Sequence, residues 1–217
     1  MPTIARILVP VDFSEHCLKT MPRVRQFAAK FGSEVILLHV FNPVYVIPET
    51  GVSGLMEVPR PEQAFEASAA RLEEFATEEL AGLRVRRLAY EGEPELQIAE
   101  TAESEDAQLV MIPAPGHSAL RNFLLGSITA RILEDVKRPV LTGGHAPAGA
   151  ISTVAYIGGA QDVAAWATGL AENFQAKLIA AEAGTKDVGA DLLVIGRGSP
   201  TDAYATVRQS PCPVLCV

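Results

Sequence analysis

Five short segments in the first 143 residues read as strands, most of them apolar runs, and the first four are each followed by a loop or turn and then by a segment with helical spacing. They are Arg6–Asp12, Glu34–Phe41, Leu83–Ala89, Gln108–Ile112 and Pro139–Thr142. Apolar runs of roughly four to eight residues without polar alternation are strands buried on both faces. Strands that alternate with helices are joined by crossovers, which makes neighbouring strands parallel. The pattern therefore predicts an α/β protein: a parallel sheet with helices on both faces.

The punctuation between the runs is specific. Asp12-Phe13-Ser14 ends the first strand and predicts a helix N-cap at Ser14, with Gly32 as the stop after Phe31. Pro22 inside that helix predicts a kink or a late start. Residues 42–60, with three prolines and two glycines, read as a long loop, and Pro61 opens the next helix. Phe65, Ala69, Leu72, Ala76 and Leu80 mark its buried stripe, and Gly82 closes it. Glu91-Gly-Glu-Pro94 turns into a short helix carrying Leu96, Ile98, Ala99 and Ala102, and a further helix is expected over about 127–137.

Gly143 to Gly149 is a linker by composition, and after it the pattern restarts. Val154–Gly158 echoes the first strand, Asp162–Phe174 the first helix and Lys177–Ala181 the second strand. Asp191–Gly196 echoes the fourth strand and Cys212–Val217 the fifth. The segment between Ala181 and Asp191 has no room for a third strand and its two flanking helices. Two units follow: 1–143, a full domain, and 150–217, a truncated second repeat whose last strand packs against the first copy.

Composition narrows the function. A net charge of −8 with no Lys/Arg cluster argues against nucleic acid or an anionic membrane as partner. No apolar stretch reaches transmembrane length and no signal pattern is evident, so the expected location is the cytoplasm. Cys17, Cys212 and Cys216 form no metal or redox spacing and read as reduced, buried thiols. His16, His39 and His145 have no metal-ligand neighbours in sequence, and His39 reads as a packed or capped residue.

One loop carries chemistry. Pro113-Ala-Pro-Gly116-His117-Ser118 leaves the fourth strand, and Gly126-Ser127-Ile128-Thr129 begins the helix after it, with the spacing Gly116-x9-Gly126-Ser127. A glycine turn at a strand end, followed by Gly-Ser at a helix start, offers free backbone N–H groups and a positive dipole to an anion, phosphate first among them.

Together with Ile7-Leu-Val-Pro-Val-Asp-Phe-Ser14 and His39-Val40, this loop resembles the universal stress protein family, whose motif is G-x2-G-x9-G-[ST] with an Asp at the end of the first strand. The resemblance covers nearly the whole chain and implies a flavodoxin-like doubly wound fold in tandem form. It also implies a cytoplasmic stress-response or regulatory protein that binds ATP without catalysis and pairs either as a homodimer or through its own two repeats. By that resemblance Asp12 holds the ribose or a Mg²⁺ near the phosphates. Pro10, Val11 and Val40 edge the nucleoside and Ile112 contacts the adenosine. Gly116 lets the chain approach the phosphates, and Gly126, Ser127, Ile128 and Thr129 donate to them. Pro113 and His117 complete the lining.

Pro113 stands where the motif has its first glycine, which removes an N–H and fixes φ. Two readings follow from it: a stiffened cradle that still binds adenine nucleotide, or a non-binding dimerisation and interaction module of the same fold with a vestigial site. His117 is either a phosphate contact or a solvated loop residue. Asp12 is either a ligand or a helper of the Ser14 cap. Slow ATP hydrolysis ranks third, because the chain has no phosphate-loop lysine, no evident base and no arginine finger. Gly158-Gly159 replaces Asp12 in the second copy, so that half is expected to bind no ATP.

Overall fold

A computed structural model describes residues 3–42, 61–113, 127–144, 148–182, 184–185, 188–198 and 200–217. The first half runs β1 (Arg6–Pro10), α1 (Glu15–Phe31), β2 (Glu34–Phe41), α2 (Pro61–Glu79), β3 (Arg84–Glu91), α3 (Pro94–Ser104), β4 (Leu109–Met111), α4 (Ser127–Asp135) and β5 (Val140–Gly143). The second half runs β6 (Thr153–Ile157), α5 (Gln161–Phe174), β7 (Lys177–Ala181), β8 (Leu192–Ile195), α6 (Pro200–Gln209) and β9 (Pro213–Cys216). The chain is thus a doubly wound α/β protein.

The nine strands among the described residues form one sheet in the order β3-β2-β1-β4-β5-β9-β8-β6-β7. Strands within each half are parallel, and the halves meet where β5 pairs antiparallel with β9, Leu141 opposite Leu215. The first five strands have the order 3-2-1-4-5, which differs from the 2-1-3-4-5 of flavodoxin itself in where the sequence turns back. That turn falls between β1 and β4, which pair directly, Ile7 opposite Leu109. Read outward from the junction, β9-β8-β6-β7 repeats the connectivity of β5-β4-β1-β2. Residues 182–191 stand in place of the longer segment 42–108, which carries α2, β3 and α3 in the first half.

Strand periodicity of two divides the core into two faces. Ile7, Val9, Val35, Leu37, Leu109 and Met111 face α1 and α2, while Val154, Leu192 and Val194 continue that face under α5. Leu8, Ile36, Leu38, Val110 and Ile112 face the other way, onto Ile98 and Ala102 of α3, Ile132 and Leu133 of α4, and Val136 just after it. α4 packs against α3 on one side and against α6 on the other. Across the junction on the first face, Phe174 of α5 meets Phe27 and Phe31 of α1, with ring centroids 5.2 and 5.9 Å apart.

Several local expectations hold for the expected physical reason. Ser14 caps α1 by accepting from the Cys17 amide, and Gly32 ends it in the left-handed region at φ 65°. Others differ. α1 begins at Glu15, so Pro22 does not delay its start. Pro22 lies on the solvent face, where water can satisfy the Leu18 carbonyl that loses its donor. Leu72, Ala76 and Leu80 are buried on α2 with Phe75 added, while Phe65 and Ala69 are only half-buried. Of the apolar residues carried by α3, Leu96 is 51% exposed, because Ile98, Thr101 and Ala102 set the buried face. Helix α6 escaped the sequence reading altogether: its apolar positions are alanines and one valine, too weak a stripe to register. Residues 43–60, read as a loop, lie outside the described residues.

Candidate functional site

In an open parallel sheet the crevice lies beyond the carboxyl ends of strands where the order reverses. Here that position is the end of β1, flanked by β2 and β4. Of the residues singled out in sequence, Pro10, Val11 and Asp12 leave β1, Val40 ends β2, Ile112 and Pro113 leave β4, and Ser127, Ile128 and Thr129 open α4. The strand pairing brings the first six to one edge. Gly116, His117 and Gly126 lie outside the described residues.

The β1 end is tightly specified. Val11 is buried, its amide donates to the Leu38 carbonyl at 2.8 Å, and its own carbonyl lies 2.8 Å from His39 Nδ1. A carbonyl only accepts, so Nδ1 carries the proton of this bond. Both backbone groups of Val11 are therefore engaged within the protein. Asp12 is exposed, and its Oδ1 accepts from the Ser14 amide at 3.0 Å and the Ser14 hydroxyl at 2.7 Å. The cap-helper role is present, and the second carboxylate oxygen carries no hydrogen bond among the described residues.

Phe13 was not singled out from sequence. It adopts φ 59°, a left-handed conformation that side chains with a Cβ rarely take. Its ring is clamped by His39 at 4.6 Å and Phe75 of α2 at 5.7 Å, with the Arg71 guanidinium 4.6 Å above it. The clamp holds the strained backbone and directs Asp12 outward. The signal for this role was readable only in part, as an aromatic between Asp12 and the Ser14 cap.

At the β4 end Ile112 is buried, and its amide donates to Leu141 at 3.0 Å. The Pro113 carbonyl accepts from the buried Thr142 hydroxyl of β5 at 3.2 Å. Thr142 therefore fixes the first residue of the loop from the neighbouring strand, a function invisible in a linear reading.

Cys17 sits in the first turn of α1, where the dipole favours a thiolate. Burial dominates instead and pushes its pKa up to about 11, so it is an inert core thiol. Burial likewise pushes Cys216 up to about 12, and none of the three cysteines is in a disulfide. Among the described residues no group of three His, Cys, Asp or Glu side chains gathers as a metal site, and no helix is long and apolar enough to cross a membrane.

A larger depression lies in the second half. It has a volume of about 470 Å³ and runs along α6 from Asp202 to Ser210, over Leu193 and Ile195 of β8 and Ile157 of β6. At its upper end Arg197 turns away from the depression: its guanidinium donates to the carbonyls of Val136 and Arg138, and at 3.4 Å to Leu133, at the end of α4. Arg197, which follows β8, is thus committed to capping a helix of the other half.

The sheet order defines a doubly wound α/β protein with a crevice position at its switch point. The sequence profile of the universal stress protein family matches residues 3–142, and the chain belongs to that family. It is 28% identical over 149 residues to universal stress protein MJ0577 of Methanocaldococcus jannaschii, covering 63% of this chain and 92% of that relative. The crystal structure of a universal stress protein from Archaeoglobus fulgidus superposes with a TM-score of 0.71 over 98% of both chains at 17% identity, a likeness of fold. A universal stress protein solved in complex with cAMP matches 64% of this chain and 96% of its own, with a TM-score of 0.50 and 21% identity.

Proposed function

We propose that the crevice at the ends of β1, β2 and β4 binds an adenine nucleotide, and that the protein is a non-catalytic, nucleotide-responsive stress protein. The observation that supports this reading is the strand pairing that sets Pro10-Val11-Asp12, Val40 and Ile112-Pro113 along one edge at the topological switch point. Asp12 suits a Mg²⁺-bound phosphate: one oxygen is held by Ser14, which orients the carboxylate, and the exposed second oxygen is available as a single ligand of the kind Mg²⁺ uses beside phosphate oxygens. Bound Mg²⁺ would supply charge neutralisation of the phosphates. Gly116, His117, Gly126, Ser127, Ile128 and Thr129 supply the cradle in this reading, with N–H groups at the start of α4 facing the anion. The cAMP complex of a family member supports the ligand class.

We further read 1–143 and 150–217 as two copies of one unit, on the strength of their common strand connectivity. In this arrangement β9 occupies the edge of β5 that a second chain would otherwise pair with, and the pairing becomes intramolecular.

The second reading, an interaction module with a vestigial crevice, draws on two observations. Both Val11 backbone groups are used internally, and Thr142 anchors a proline that lacks an N–H. One experiment separates them. Purified protein is denatured and its supernatant examined for adenine nucleotide, and native protein is titrated calorimetrically with ATP with and without Mg²⁺. Binding that Gly126→Arg abolishes and Asp12→Ala makes insensitive to Mg²⁺ is the expected result. No nucleotide and no heat at millimolar ATP would leave the interaction module standing.

A further inference from the structure

The strand ends that carry Asp12 and Val40 continue by one member, β3. It pairs with β2 in register to the end, Leu38 opposite Leu88 and Val40 opposite Tyr90. The Gly92 amide then donates to the Phe41 carbonyl at 3.0 Å, which ties the turn after β3 to the end of β2. Gly92 takes φ 145° there, a conformation that a residue with a Cβ rarely adopts. Side chains in register on neighbouring strands share a face, and so do residues two apart on one strand. Val40 and Leu88 both pack against the α3–α4 side of the core, as Ile112 does at the end of β4. Tyr90, opposite Val40 and two residues past Leu88, therefore lies on the same face as both.

Along that face of β3 the side chains are committed until the last. Arg86 pairs with Glu105 at the far end of α3, and Leu88 packs against the core. Tyr90 follows at the end of the strand where α3 begins. At 39% it is the most exposed aromatic side chain among the described residues. Among those residues its ring stacks on no other aromatic and its hydroxyl makes no hydrogen bond. A large ring held in water on a pinned strand end gains free energy from any apolar surface that comes to lie against it.

In the nucleotide reading the ligand runs across the strand ends, with phosphates toward β4, ribose beside Asp12 of β1 and base beside Val40 of β2. Adjacent strands lie about 4.8 Å apart. The next position along this line is the end of β3, within the range of about 4.5–7 Å at which aromatic rings stack. We propose that Tyr90 is the base-stacking residue of the crevice, its ring lying against the adenine and closing the outer end of the site. The inference rests on the nucleotide reading and deepens it, because it fixes the direction in which the ligand lies and names the side chain that grips the base. Stacking uses the π-face of the base rather than its hydrogen-bonding edge. Tyr90 thus supplies affinity for the base, while Asp12 and the cradle act on the ribose and phosphates.

The test titrates the full-length protein calorimetrically with ATP, wild type beside Tyr90→Ala and Tyr90→Phe, each verified as folded by circular dichroism. Tyr90→Ala is expected to weaken binding about tenfold, and Tyr90→Phe to restore it because the π-face is kept. The second probe is ethenoadenosine triphosphate, a fluorescent adenine nucleotide whose emission falls when its base stacks. At saturation its emission is expected to be quenched by wild type and Tyr90→Phe, and to recover in Tyr90→Ala. ATP binding that Tyr90→Ala leaves unchanged would overturn this inference and spare the nucleotide reading. So would weaker binding with the quenching of the bound analogue unaltered, because Tyr90 would then act on the fold and not on the base. No heat and no quenching with wild type would overturn both.

Discussion

Replacing Arg197 with methionine keeps the aliphatic stem and removes the guanidinium from the end of α4. Three carbonyls lose a donor, those of Leu133, Val136 and Arg138, the first at a marginal 3.4 Å and the other two at close range. Hydrogen bonds to a charged group contribute about 1.5–3 kcal/mol each. A cation at a helix C-terminus adds about 0.3–1 kcal/mol. Opposing these, the guanidinium is partly desolvated in the folded state, which burial registers as a lowered pKa, and the variant recovers that penalty. The two close bonds dominate, and the expected loss is about 3 kcal/mol. For a chain of this size that corresponds to a Tm lower by about 6–12 °C. Urea unfolding followed by circular dichroism checks it through the shift in midpoint at unchanged m. A loss below about 0.5 kcal/mol would refute the reasoning, because the carbonyls would then be satisfied equally well by water and the link between the halves would be decorative.

Gly144→Ala tests the junction: at φ +76° an added Cβ would sit 2.5 Å from Pro213 Cδ and 2.6 Å from its nitrogen. Overpacking plus the left-handed backbone cost predict a loss of about 2–4 kcal/mol in denaturant midpoint, whereas Gly149→Ala, with open space around it, should change stability little. Equal effects of the two would refute the steric account. Asp191 tests the pH dependence: the Ser152 hydroxyl at 2.7 Å, with the Ser152 and Thr153 amides and the Arg23 charge, holds its carboxylate below the ordinary range. A depressed folded pKa contributes stability that is present above the unfolded value of about 3.9 and is lost as pH falls through the folded value. Asp191→Asn should therefore be less stable than wild type at neutral pH, with the gap closing in acid, as thermal melts from pH 7 to 2 will measure. A gap independent of pH would sink the assignment.

Much of this architecture was legible locally. The caps at Ser14 and Gly32, the buried strands β1, β2 and β4 and the restart after Gly149 follow from dihedral preferences and periodicity within a few residues. The candidate site was half legible. Asp12, Val40 and Ile112 could be named as strand-end residues, but that they share one edge depends on β1 pairing with β4, across a hundred residues of intervening chain. Phe13 escaped because a left-handed φ at an aromatic is sustained by Phe75 and Arg71, far along the sequence. Thr142 escaped because its hydroxyl matters only once β5 lies beside β4.

The sequence by itself determined the periods: which runs are strands, where helices such as α1 start and stop, and that the second half is shorter than the first. Those are contests between neighbouring residues and backbone sterics, settled within one or two turns of chain. The tertiary structure decided the partners. It joined the halves through an antiparallel β5–β9 pair and turned Arg197 onto the end of α4. Hydrogen-bonding edges and apolar faces are interchangeable in a linear pattern. Only the packing of the whole sheet selects which edge meets which.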